Sequence, residues 1–221
     1  MLKDLIAISI ANSGVFMTTA ISTVVFDVGN VLIEWDPEHL YRDLIPDAAE
    51  RQFFLSEICS MDWNLQQDLG RSWSEAVSSL SSQHPEHAEL IAAYSSRWHD
   101  MVPGEIQGSV EVLEALKTAD VPLYAITNFS SEKFAEAQDR FPFLKTSFKD
   151  IIVSAEERFL KPDLRIYEAL FARNAITPSE CVFIDDSEKN VAGARDAGMA
   201  ALHFTGADKL RQDLREMGLP V

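Results

Sequence analysis

The sequence predicts an α/β protein, a Rossmann-like parallel sheet carrying a small helical insertion. Three observations carry this reading. Four short apolar runs each end abruptly on a polar group, segments of helical spacing separate most of them, and residues 35–103 show helical spacing alone. Strands that alternate with helices of this length imply parallel pairing, because a parallel connection needs a crossover. In open parallel sheets the functional groups gather outside the carboxyl ends of the strands. The polar endings of the four runs are therefore expected at one edge.

The first run is Thr23-Val24-Val25-Phe26, which ends at Asp27 and is followed by Val28-Gly29-Asn30. Its β-branched, apolar character and the turn signal after it read as a buried strand. In the insertion, Leu40, Leu44, Phe53, Phe54, Ile58, Val77, Leu80, Leu90, Ile91, Tyr94 and Trp98 predict four or five short amphipathic helices. Breaks are expected at Pro46, Gly70-Arg71-Ser72, His84-Pro85 and Pro103-Gly104, with the serine-rich residues 78–82 at a helix end and loop. Val110, Leu113 and Leu116 then mark a helix, and residues 121–126 a strand ending in Thr127-Asn128. Residues 150–153 form the third run, which leads through Ser154-Ala155-Glu156-Glu157 to Lys161-Pro162. Proline suits a first helical turn, so Lys161 is expected at the entrance of the helix marked by Ile166, Leu170 and Phe171. Residues 181–184 form the fourth run and end in Asp185-Asp186. The tail, residues 207–221, reads as a closing helix.

Composition narrows the function. At 221 residues the chain can bury one sizeable core without disulfides or metals as staples. A formal net charge of −16 argues against a nucleic-acid partner, since phosphate backbones are held by clustered Lys and Arg. The same charge repels a phosphorylated substrate at long range, so a divalent cation in the site would matter more. The two cysteines, Cys59 and Cys181, read as buried reduced thiols in a reducing compartment, and the expected location is the cytoplasm. Residues 2–16 are mildly apolar, but the run is short and Asp4 interrupts it, so neither a signal peptide nor a membrane span is read. Met17 stands just before the first strand. Residues 1–16 are expected to be an N-terminal extension, residues 17–36 and 104–221 the core, and residues 37–103 a helical cap with turning points near Asp36-Pro37 and Pro103-Gly104.

The ordered endings Asp27, Thr127, Lys161 and Asp185-Asp186 resemble the four motifs of the haloacid dehalogenase superfamily of hydrolases. The third motif continues to Ile166-Tyr167 and the fourth to Asn190 and Gly193, as in the subgroup with a small helical cap. The first motif, Asp-x-Gly-Asn, is similar to that of certain sugar-phosphate phosphatases. The resemblance implies a Mg²⁺-dependent hydrolase of small phosphorylated metabolites, with sugar phosphates as the favoured substrates. Asp27 would attack phosphorus and form an aspartyl-phosphate. Mg²⁺ would be held by Asp186, Asp27 and the Gly29 carbonyl, with Asp185 binding directly or through water. Thr127, with the backbone amides of Asn128 and Phe129, would bind phosphate, and Lys161 would offset its charge. For substrate selection the cap offers Met61, Trp63, Asn64 and Arg71, beside Asp62 and Asp68; Trp63 reads equally as cap core, and Arg71 as either an anion clamp or a surface cation.

Gly29 departs from the family pattern, which usually places a second Asp two residues after the nucleophile to protonate the leaving group. Three consequences stay open. Another acid can replace it, from Glu34, Asp36 or His39 near the first motif, or from Asp62 or Asp68 in the cap. The substrate can carry a leaving group that needs little protonation, which is the favoured reading. Or turnover can be poor. The same gap admits two other functions: a 2-haloacid dehalogenase, whose halide needs no proton, and a catalytically weak binder of phosphorylated ligands. The paired acids speak for a metal and against the dehalogenase.

Overall fold

A computed structural model describes residues 20–221; the expectation for residues 1–16 lies outside these. Five strands build one sheet: β1 (Thr23–Phe26), β2 (Leu123–Thr127), β3 (Asp150–Val153), β4 (Cys181–Asp185) and β5 (Ala200–His203). Their order is β3-β2-β1-β4-β5, and every pairing is parallel. The chain runs outward from β1 on one side, then returns to the other side at β4. The β1/β4 junction is thus the switch point, where a crevice opens beyond the strand ends. β1 and β4 are apolar because both faces of a central parallel strand are covered. Val24 and Phe26 pack on one side with Val112, Leu113 and Leu116 of α6 (Gln107–Thr118) and Leu210 and Leu214 of α12 (Ala207–Glu216). Val25 faces the other side, against Ile166, Tyr167 and Leu170 of α10 (Leu164–Asn174) and Val191 and Ala194 of α11 (Glu188–Asp196).

The insertion contains five α-helices: α1 (Glu38–Leu44), α2 (Ala48–Phe53), α3 (Met61–Asp68), α4 (Trp73–Gln83) and α5 (Ala88–Ser96). Helix α2 continues into a π-helical turn, Phe54–Ile58. The starts are written in the sequence: the side chains of Asp47, Ser60 and Ser72 accept first-turn amides of α2, α3 and α4. Residues 78–82 lie at the expected helix end but not in the expected loop. They are the last turns of α4 rather than a loop, and Ser82 Oγ donates to Ser78 O, 2.8 Å away. A serine hydroxyl that bonds back four residues can remain inside a helix.

The entry and exit of the insertion run beside each other. Glu34 N donates to Gly104 O (3.0 Å) and Asp36 N to Met101 O (2.9 Å). Inside, an aromatic core holds the short helices together: Tyr41 lies 4.9 Å from Phe54 between ring centroids, and Tyr94 stacks on Trp73 at 5.7 Å. Trp73 also reaches the sheet-bearing part, since its indole Nε1 donates to Ser130 Oγ (2.8 Å), just ahead of α7 (Ser131–Arg140).

Tyr41 is fully buried and its hydroxyl donates to Leu90 O at 2.8 Å, tying α1 to α5. Tyr41→Ala is expected to destabilise the protein by about 3–5 kcal/mol and Tyr41→Phe by about 1 kcal/mol. The shift of the urea midpoint measures both.

Candidate active site

β1 ends in Asp27, whose backbone N–H still donates to Ile184 O of β4 (2.8 Å). The ladder therefore carries this carboxylate to the switch point. Its Oδ1 accepts from Val28 N–H and from Lys161 Nζ, both at 2.7 Å, while Oδ2 has no hydrogen-bond partner among the described residues. Asn30 shapes the loop that follows. Its φ of 54° is left-handed, a conformation asparagine tolerates better than most residues, and its Oδ1 accepts Trp35 N–H at 2.9 Å.

Lys161 is 4% exposed and bridges two acids. Its Nζ donates to Asp185 Oδ2 at 2.7 Å as well as to Asp27. Asparagine 128 fixes the lysine backbone with a reciprocal pair: Lys161 N–H donates to Asn128 Oδ1 (2.8 Å), and Asn128 Nδ2 donates to Lys161 O (3.3 Å). The placement of Pro162 departs from the sequence reading. Asp163 is the N-cap of α10, accepting Arg165 N–H, so Pro162 lies ahead of the helix rather than in its first turn. Gly193 of α11 lies against this bend. A Cβ there would come within 2.7 Å of Pro162 Cβ and 2.8 Å of Pro162 O.

Asp185 is wholly buried, and both its oxygens are engaged: it accepts from Lys161, from Ser187 N–H (2.8 Å) and from Asn190 Nδ2 (3.0 and 3.1 Å). Asp186 is exposed. Asp27, Asp185 and Asp186 each place one carboxylate oxygen within 4.8 Å of the others. One ammonium cannot neutralise three carboxylates. Burial first, then Asp185 and Asp186, push the Asp27 pKa up to about 8, although Lys161 pulls it down. Burial and Asp185 also raise Asp186. Burial alone would lower Lys161, but Asp27 and Asp185 outweigh it and hold the ammonium above the ordinary lysine range. A cluster of hard oxygen donors with surplus negative charge fits Mg²⁺.

Beside this cluster opens a cavity of about 200 Å³, bounded by both the sheet end and the insertion. Asp27, Gly29, Asn128 and Lys161 line it, as does Asn64 from the insertion. Thr127 ends β2 and is 1% exposed. The Phe129 amide is not free for phosphate as the sequence suggested, because it donates to Ser154 Oγ at 2.9 Å. Trp63 and Arg71 are not part of the cavity wall. Trp63 is wedged edge-on against Trp73 and Tyr94. Arg71 folds back onto α3, donating to Gln67 Oε1 (2.8 Å) and Trp63 O (3.1 Å). Asp36 is taken up by Glu38 N–H (2.8 Å), and Glu34 and His39 are exposed and outside the wall. The expected Met61 does line the wall; sequence reading missed Trp35, Trp73 and Trp98, which only the docking of the insertion brings to the strand ends, and Lys133, which α7 supplies from the sheet-bearing part.

An aspartate at the end of the central strand, a buried lysine between carboxylates and an acid pair on the neighbouring strand define a hydrolase of the haloacid dehalogenase type. The profile of haloacid dehalogenase-like hydrolases matches residues 21–198, and the chain belongs to that family. It is 27% identical over 203 residues to a sesquiterpene phosphatase of Aspergillus oryzae, covering 91% of this chain and 98% of the relative. A flavin mononucleotide hydrolase of Arabidopsis thaliana is 30% identical over 119 residues, 52% of this chain and 46% of that one. Among solved structures, a magnesium complex of a haloacid dehalogenase family enzyme from Bacteroides thetaiotaomicron shares the fold with a TM-score of 0.71. Its identity is 21%, over 89% of this chain and 99% of the other.

Two substitutions test the packing of the site. Lys161→Met leaves two buried acids uncompensated and is expected to destabilise by about 3–5 kcal/mol. Adding Asp185→Asn should restore part of that loss in the same denaturant titration. Gly193→Ala would gain about 1 kcal/mol in an exposed helix. Here the contact with Pro162 is expected to reverse the sign, lowering Tm and displacing Lys161 with at least tenfold lower kcat/KM.

Proposed function

We propose that this chain is a Mg²⁺-dependent phosphomonoester hydrolase of small metabolites, working through an aspartyl-phosphate on Asp27. The observation that carries the reading is the carboxylate of Asp27, held by Lys161 at 2.7 Å with its Oδ2 free, beside an acid pair suited to a divalent ion. Asp27 attacks phosphorus, and the ester oxygen leaves. Lys161 fixes the nucleophile and offsets charge on the phosphoryl oxygens. Thr127 and the Asn128 amide bind those oxygens at the end of β2. Asp27, Asp186 and the Gly29 carbonyl would hold Mg²⁺, with Asp185 ligating directly or through water, and the ion would neutralise the phosphoryl charge. The hydrogen bonds that saturate Asp185 favour the water-mediated role. A halide on carbon needs no such ion, so the acid pair supports the phosphatase over the dehalogenase.

Residues 37–103 act as a cap over the core formed by residues 17–36 and 104–221, excluding water from the cavity. The adjacent crossings at Asp36 and Gly104 support this division. Sugar phosphates are one substrate class, with Asn64 available to a hydroxyl. A second class is favoured by the wall itself. Trp35, Met61, Leu65, Trp73, Trp98 and Phe129 present apolar and aromatic surface, which suits an isoprenoid or aromatic leaving group. Two relatives bear names of this kind, a sesquiterpene phosphatase and a flavin mononucleotide hydrolase. No helix among the described residues is long and apolar enough to cross a membrane. The free buried thiols of Cys59 and Cys181 support a cytoplasmic setting.

Phosphate release from aryl, isoprenyl, flavin and sugar phosphates, with and without Mg²⁺, tests the reading. Turnover is expected only with Mg²⁺ and is expected to vanish in Asp27→Asn, with the apolar esters ahead of the sugar phosphates. Release that persists in Asp27→Asn, or none from any ester, overturns it.

A further inference from the structure

The backbone does not require glycine at position 29. Its φ is not left-handed, and an added Cβ would meet nothing within 4 Å. The site nevertheless lacks an acid there, so the proton that a basic leaving group needs would come from another wall residue. Among the described residues lining the cavity, only Asp27 and Asp68 carry a carboxyl group. Asp68 is the last residue of α3 and is 7% exposed; Asn64 Nδ2 lies 3.3 Å from its Oδ2.

The core, not only its own helix, fixes Asp68. Ser154 Oγ, fully buried after β3, donates to Asp68 O at 2.6 Å and accepts Phe129 N–H at 2.9 Å. Arg158 Nη1 donates to Leu69 O (3.1 Å) and Gly70 O (2.8 Å), while Gly70 takes a φ of 95° that admits this close approach. Three carbonyls in a row are thus gripped by the part of the chain that carries Lys161. The end of α3 is held in register with the nucleophile, as proton transfer requires.

We propose that Asp68 is the general acid and base of this site, a role that rests on the phosphatase reading above. As the Asp27 carboxylate forms its bond to phosphorus, the bond from phosphorus to the ester oxygen breaks, and the Asp68 carboxyl gives its proton to that oxygen. The Asp68 carboxylate then takes a proton from water as the water oxygen attacks the aspartyl-phosphate. The bond between phosphorus and Asp27 breaks, and alcohol and inorganic phosphate are the products. The charged and titratable groups around Asp68 are Lys161, Lys133 and Asp27 at the cavity, Tyr94 on α5 and Arg158 from the core. Burial raises the Asp68 pKa to about 7, against the lowering pull of the Ser130 amide and Lys161. A group that titrates near neutrality serves both steps.

The test compares wild type, Asp68→Asn and Asp68→Asn with Gly29→Asp on an alkyl phosphate and on an aryl phosphate of an acidic phenol, with Mg²⁺. Asp68→Asn is expected to lose about 10²–10⁴-fold in kcat on the alkyl ester. On the aryl ester it should instead give a burst of phenol and accumulate phosphoenzyme, because only water attack still needs the base. The fall in alkyl-ester turnover above about pH 7, where wild-type Asp68 loses its proton, should disappear. Gly29→Asp should restore part of the alkyl activity. Equal losses on both esters, no burst and an unchanged pH profile would show a purely structural residue and overturn the proposal. If Asp68→Asn does not fold, Asp68→Glu decides: retained alkyl turnover with a shifted alkaline limb supports the role, and an unshifted limb overturns it. A wild-type chain that hydrolyses neither ester sinks the phosphatase reading, whereas a wild type with full activity and an indifferent Asp68→Asn sinks this proposal alone.

Discussion

The Lys161 ammonium, shared between Asp27 and Asp185 at 2.7 Å each, is the interaction on which the rest of the site depends. Three ionised acids cannot crowd a strand edge without positive charge, and a charged lysine is costly to bury without acids. Each group makes the other tolerable. The surrounding bonds are built to keep that lysine in place: the side chain of Asn128 clamps its backbone, Gly193 lets α11 lie against Pro162, and Asn190 and Ser187 hold the acid on its far side. Asp185 is consumed by this task. In the proposed reading, Asp186 and the free oxygen of Asp27 would receive the cation and the phosphoryl group.

The insertion adds a wall of a different character. The strand edge is polar and charged, while the insertion contributes Met61, Leu65, Trp73 and Trp98, with Trp35 on the loop that leads into it. A phosphate ester divides in the same manner, with a charged end for the strand edge and an organic end for the helices. The insertion is held to the core by Trp73 on Ser130 and by Ser154 and Arg158 on the end of α3. Those bonds set both the shape of the cavity and the position of its second carboxyl group.

Much of the fold was legible because buried parallel strands leave a plain trace: an apolar run cut off by a polar residue. β1, β2, β3 and β4 were all readable in this way, together with their polar endings. β5 was not, since Ala200-Ala201-Leu202-His203 lies at the sheet edge, with alternate residues partly exposed and no β-branched residue in the run. The helices of the insertion were legible in number and in most of their breaks. Their roles were not. Trp63 could be read as a stacking surface or as core, and it fills an aromatic core; Arg71 read as an anion clamp or a surface cation, and it folds back onto α3. Asp68 gained its position from Ser154, 86 residues further along the chain, a contact no local pattern announces. Pro162 shows a local rule overridden by a neighbour: Asp163 caps α10, so the proline falls outside the helix.

The most direct test of this account is rapid quenching of the enzyme with Mg²⁺ and an aryl phosphate, followed by mass spectrometry of the peptides. The account predicts the mass of one phosphoryl group, labile at alkaline pH, on the peptide that contains Asp27. A chain that turns over the ester while Asp27 stays unmodified under every quench time, or a phosphoryl group found on another residue, would contradict it.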